Sequence, residues 1–224
     1  VGKVAYAKDI LHIDHLHFES GNNTLDLNLK TDELMTGLAE IFIDDFSVFS
    51  SELAGKIEGR LDISGKPDTP IIKGTFTGER IHLEDIRLTS LSADTRIDLS
   101  PQQRSSVFVK LNALSYKNKM IDELLINGNG LTESHLIELT ASGPEFNFKS
   151  NINGGLEDKH WTGRINQFDL MNKDLGEWQL SHPANINWQV ENKIISLTEA
   201  CMSQNEANLC ATGTSELNQG LRGD

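Results

Sequence analysis

The residues best equipped to make a bond are two cysteines, at the ends of Cys201-Met-Ser-Gln-Asn-Glu-Ala-Asn-Leu-Cys210. A polar Gln204-Asn205-Glu206 turn between them folds the ends back and brings the sulfurs within bridging reach. The expectation is a hairpin over about 197–213 closed by a Cys201–Cys210 disulfide, which implies an oxidising compartment. Two buried, reduced thiols are the alternative. With no flanking His or further Cys, the pair makes only half a zinc site.

The other stretch with chemical potential is Leu11-His12-Ile13-Asp14-His15-Leu16-His17-Phe18-Glu19. In an unbroken strand His15, His17 and Glu19 share one face, which could hold a metal. Leu11 and Ile13 fall on that same face, so the expected reading is hydrogen-bonded or solvated histidines and no metal. The chain contains no Gly-x-Ser-x-Gly elbow, no phosphate loop with Lys-Ser/Thr and no His-Glu-x-x-His pair. Its many carboxylates alternate along strand-like runs, as on a solvated outer face. No enzyme activity and no cofactor are expected. Trp161, Trp178 and Trp188 lack interleaved basic residues and are expected to anchor packing.

The elements that would carry these residues are strands. Apolar and polar residues alternate in Leu25-Asp-Leu27-Asn-Leu29, Leu61-Asp-Ile63, Ile81-His-Leu83, Ile97-Asp-Leu99 and Val107-Phe-Val109-Lys-Leu111. The pattern continues in Phe146-Asn-Phe148, Phe168-Asp-Leu170, Ile186-Asn-Trp188-Gln-Val190 and Ile195-Ser-Leu197. A period of two puts the apolar side chains on one face and the polar ones on the other. Turn signals separate the runs at Gly65-Lys-Pro67-Asp-Thr-Pro70, Ser100-Pro101, Lys117-Asn-Lys119, Gly128-Asn-Gly130, Ser142-Gly-Pro144, Gly154-Gly155 and His182-Pro183. Connections this short suit antiparallel neighbours. One segment differs: Leu34, Leu38, Ile41, Phe42, Phe46 and Phe49 follow helical spacing behind a Thr31-Asp32 cap. The spacing predicts an amphipathic helix over about 32–46.

The chain has 33 Asp and Glu against 20 Lys and Arg, a net charge of −13. That balance opposes nucleic acid and docking on an anionic membrane through a basic patch. No apolar run is long enough for a membrane-spanning helix, and no signal peptide is visible. Residues 1–224 are expected to be one continuous sheet cut from a longer protein.

Four stretches, in order, carry a resemblance. They are Ser134-His-Leu-Ile-Glu-Leu-Thr-Ala-Ser-Gly143, Asn151-Ile-Asn-Gly-Gly-Leu-Glu-Asp-Lys-His-Trp161-Thr-Gly-Arg-Ile165, Gly176-Glu-Trp178-Gln-Leu-Ser-His-Pro183 and the cysteine stretch ending Asn205-Glu-Ala-Asn-Leu-Cys210. Gly55 to Gly74 adds a phrase of the type Gly-x-Leu-x-Ile-x-Gly followed by Pro. Together they are similar to the TamB family, AsmA-like subunits of the translocation and assembly module anchored in the inner membrane. Met202 stands where that family has an aromatic residue. The resemblance implies a long, curled antiparallel β-sheet (a β-taco) crossing the periplasm of a Gram-negative bacterium, with an apolar concave groove and an open edge. It implies an outer-membrane TamA-like partner, and as cargo phospholipid acyl chains or unfolded outer-membrane proteins.

The groove is then expected to be lined by Leu61, Ile63, Ile81, Leu83, Ile97, Leu99, Val107, Val109 and Leu111. Alternation alone leaves a closed β-sandwich binding module open, because facing a core and facing a trough give the same residue pattern.

Overall fold

The computed structural model describes residues 2–7, 10–117, 119–216 and 220–223. It divides into two compact units, Val1–Leu124 and Leu125–Asp224. The strands of the first are β1 (Lys3–Ala7), β2 (Ile10–Ser20), β3 (Asn23–Thr31), β4 (Met35–Ile43), β5 (Leu53–Lys66), β6 (Thr69–Leu83), β7 (Ile86–Asp98) and β8 (Ser105–Tyr116). The division falls within β9 (Lys119–Leu131). The second unit continues with β10 (Ser134–Ser142), β11 (Phe146–Glu157), β12 (His160–Asn172), β13 (Gly176–Leu180) and β14 (Ala184–Gln189). It ends with β15 (Ile194–Gln204), β16 (Ala207–Glu216) and β17 (Gly220–Gly223).

In the first unit each strand from β1 to β8 pairs antiparallel with the next, a meander joined by short turns. No ladder joins β1 to β8 among the described residues, so the meander does not close into a barrel. In the second unit β10 to β12 pair in the same way. There β13 and β14 are two halves of one strand lying between β12 and β15. The break between them is Ser181-His182-Pro183, since proline cannot donate to a ladder.

The helix expected over 32–46 is absent. Its residues form the turn after β3, then β4, and β4 lies fully paired between β3 and β5. Gly37 and the β-branched Thr36, Ile41 and Ile43 are poor helix formers. The ladders on both sides outweigh the local helical spacing of the segment. A single 3₁₀ turn, Phe46–Val48, follows, capped by Asp45, whose carboxylate accepts from Ser47 N at 2.8 Å. Two turn expectations also fail, because Gly128–Gly130 lies inside β9 and Gly154–Gly155 inside β11.

Strict alternation also breaks on one transverse row of the first unit. Ile81 pairs with Leu88 and Leu88 with Leu114, while Gly78 pairs with Leu91 and Leu91 with Leu111. Each of the three strands therefore carries one extra residue between the two rows, at Arg80, Thr89 and Ala113. Arg80 and Ala113 take left-handed φ values of 50° and 49°. The extra residue resets the pleat, so apolar positions on both sides of the fault share a face. Consistent with this, a Cβ built on Gly78 would meet both Ile81 Cδ1 and Leu91 Cβ.

Neither unit has a sealed core. Among the described residues the buried apolar side chains are Ile81, Leu88, Ala141 and Ala184, and no large side chain is fully enclosed. The accessible surface is 14623 Å². A compact monomer of this mass exposes about 10,200 Å², and two separate compact bodies sharing it would expose roughly 12,300 Å².

Candidate functional site

The ladder register assigns the paired side chains of the first unit to a face. On one face lie Leu25, Leu27 and Leu29 of β3, opposite Ile41, Ala39 and Gly37 of β4. Leu61 and Ile63 of β5 continue it opposite Gly74 and Ile72 of β6. Ile72 in turn faces Ile97, and Leu83 faces Ile86. Val107, Val109 and Leu111 of β8 stand opposite Thr95, Ala93 and Leu91. Leu99 follows β7, its N–H donating to Pro70 O at 3.1 Å, which places it on the same face. All nine residues expected to line a groove thus share one side of the sheet. Their cover differs: Ile81 is 8% exposed, whereas Leu83 and Leu99 are 39% and 36% exposed.

From β2 to β8 the ladder positions of this face hold no Asp, Glu, Lys or Arg. At the ladder positions charge falls on the reverse side. There Arg60 bonds Glu40 at 2.7 Å and Asp62 at 2.9 Å, and Lys56 pairs with Asp44. Arg60 holds the Asp62 carboxyl below its ordinary range, and Lys56 does the same to Asp44. These exposed pairs contribute little stability. They keep the reverse side wet.

Sequence reasoning missed Leu88, Leu114 and Phe76 on the apolar face. The signal for the first two was an apolar spacing of three across the fault (Leu88 to Leu91, Leu111 to Leu114), which alternation treats as noise.

The histidine stretch is rearranged by a bulge between Ile13 and Leu16, where His15 takes φ 51°. Ile13 and Leu16 both face the apolar side, opposite Leu29 and Leu27, while His17 turns to the polar side opposite Asp26. The face shared by Ile13 and the histidines in an unbroken strand does not exist. His17 Nδ1 lies 2.7 Å from Asp26 Oδ1, and Nε2 lies 3.5 Å from Glu19. Hydrogen bonding to Asp26, then to Glu19, raises the His17 pKa above 6.5. These neighbours make His17 part of a surface hydrogen-bonded cluster.

In the second unit the same partition recurs. Trp161 stands opposite Trp188 and Leu156, and Trp178 opposite Leu170, on the face that also carries Phe148 and Phe168 with ring centroids 5.0 Å apart. Cys201 and Cys210 are direct ladder partners joined by a disulfide. Their neighbours Met202 and Leu209 also pair with each other and lie on the apolar face, so the bridge sits on the polar one. In β16 from Ala207 to Thr212 every residue is exposed, so apolar burial does little to specify its register. The covalent link supplies that restraint. Removing it (Cys201→Ser with Cys210→Ser) is expected to cost the hairpin about 2–3 kcal/mol. Amide exchange checks this: β16 should lose protection while β11 and β12 keep theirs.

Over residues 2–223 the sequence matches the family described as TamB, N-terminal domain. The chain belongs to the TamB family. It is 21% identical over 204 residues to the translocation and assembly module subunit TamB of Haemophilus influenzae, a match covering 90% of this chain. The chain spans only 16% of that relative's length. No solved structure matches it. For a TamB-family chain, the charge-free apolar face of β2 to β8 is the feature to explain, because an apolar face left open on a monomer marks a site of interaction.

Proposed function

We propose that this chain is a non-catalytic stretch of a longer cell-envelope protein of Gram-negative bacteria. In this reading it lies in the periplasm and its apolar face shields phospholipid acyl chains between the two membranes. The observation that carries the reading is a sheet face in the first unit whose ladder positions from β2 to β8 hold no charged side chain and over which, among the described residues of that unit, no second layer packs. Such a face stabilises a methylene chain by about 0.8 kcal/mol per CH₂ removed from water. The relative's description as a subunit of a translocation and assembly module supports a place in such an assembly. In this reading the partner there is an outer-membrane TamA-like protein. The nine positions from Leu61 to Leu111 are then contact residues for cargo.

Photo-crosslinking in cells tests the reading. A benzoylphenylalanine placed at Leu61, Val109 or Leu111 is expected to capture phospholipid, and one placed at Glu58 or Lys110 on the reverse side is not. Capture of unfolded outer-membrane protein alone from the apolar positions would replace the lipid reading with a protein-assembly one. Equal lipid capture from both faces would remove it.

A further inference from the structure

An apolar face that guides an extended chain must also be level, and the aromatic rings on it have the size to obstruct it. In the second unit the indole of Trp161 leans along its own strand over Gly163 and over Gly154, the ladder partner of Gly163. A methyl group added at either glycine would overlap the ring, meeting Cη2 from Gly163 and Cζ2 from Gly154. Neither glycine has a left-handed φ, so its backbone conformation is open to any residue and what it supplies is space. The ring is also held from its edge. Trp161 Nε1 donates to His135 Nε2 at 2.8 Å, and the two rings stack with centroids 6.1 Å apart. His135 Nδ1 lies 3.1 Å from Leu131 O, which makes Nδ1 the donor and leaves Nε2 free to accept from the indole.

The first unit repeats the device independently. Phe76 is the ladder partner of Gly59, and a methyl at Gly59 would overlap its ring. Gly74, two residues before Phe76 on the same face, would bring a methyl to 3.2 Å from Cε2. Both rings therefore lie flat in sockets left by glycines.

We propose that Gly154 and Gly163 under Trp161, and Gly59 under Phe76, set the clearance of the apolar face. Recessed rings leave a floor along which an unbranched acyl chain can lie, and a ring forced upright blocks it. The inference rests on the acyl-chain reading and adds to it the residues that decide what passes. It also favours methylene chains over polypeptide cargo, since a strand added at a sheet edge is indifferent to the floor.

The test uses the purified chain with vesicles of phosphatidylethanolamine and phosphatidylglycerol carrying a trace of phosphatidylcholine with a diazirine on one acyl chain. After photolysis, label is counted in peptides of the apolar face. Gly163→Ala is expected to lower labelling of the 146–170 region by roughly tenfold, equivalent to about 1.4 kcal/mol, which is near the loss of two methylene seats. Adding Trp161→Ala to that variant removes the obstacle and is expected to restore labelling. Trp161→Ala alone, which keeps the glycine and removes the ring, is expected to label at least as well as the parent. Gly59→Ala with and without Phe76→Ala repeats the series in the first unit. Unchanged labelling in Gly163→Ala, no recovery in the double variant, or loss in Trp161→Ala would each overturn the clearance role. An unlabelled parent chain would instead remove the acyl-chain reading itself.

Discussion

Two carboxylates on the apolar face, Ile63→Asp with Val109→Asp, are expected to abolish acyl-chain photolabelling while the chain stays folded. Ile63 sits in β5 opposite Ile72 and Gly37, and Val109 in β8 opposite Ala93. Each replaces apolar contact with a group that an acyl chain can approach only by stripping its water. At about 1.5–2 kcal/mol apiece, the pair should weaken binding by roughly two orders of magnitude or more. Folding is expected to suffer much less, because both positions are only half-buried and their carboxylates remain hydrated. In a sealed sandwich the same pair would be enclosed and the chain would unfold. Glu58→Gln and Lys110→Gln, on the reverse side, should leave labelling unchanged. Labelling and circular dichroism, measured on the same samples, therefore separate a trough from a core. Unfolding of the double variant would identify a closed interior, and unimpaired labelling would remove this face as the binding surface.

The second large effect concerns stability, and it follows from how unevenly the face is covered. Leu88 is 9% exposed and packs at the fault row beside Ile81 and Leu114, whereas Ile86, two residues away, is 39% exposed. Leu88→Ala leaves a cavity and is expected to destabilise the first unit by about 2–4 kcal/mol. Ile86→Ala should cost about 1 kcal/mol or less, since water already reaches that side chain. Chemical denaturation with amide exchange in β6 to β8 checks the difference. Equal losses at the two positions would mean that the fault row is not the place where this face packs.

The cover at the fault row explains how a single layer holds together. With no second sheet, the apolar side chains bury one another along the face, most deeply where three strands each take one extra residue.

Strand content was legible because burial of one face imposes a period of two, and runs such as Val107 to Leu111 keep it without interruption. Leu61, Ile63, Ile97 and Val109 could be placed on one face for the same reason, and the short turns at Pro67 and Pro101 required antiparallel neighbours. The bridge between Cys201 and Cys210 was legible in part, since a short polar turn brings the sulfurs near whether or not they bond. The segment from Thr31 to Phe49 was not legible. Its helical spacing is local, while the ladders that claim Met35–Ile43 come from strands before and after it. Bulges were equally hidden: one residue inserted at Asp14-His15 moves His17 to the other side of the sheet, and nothing local in the sequence marks it.

Residue order alone thus determined a polar and an apolar face wherever alternation runs unbroken, as from Val107 to Leu111, because alternation is a property of one chain in extended conformation. Only the tertiary structure decided that, among the described residues, no second layer packs on the apolar face of the first unit, that Gly154, expected in a turn, joins Gly163 in seating an indole, and that Leu88 and Leu114 belong with Leu91 and Leu111. Each of these depends on what lies across a ladder or above a sheet, and a one-dimensional pattern carries no record of a missing neighbour.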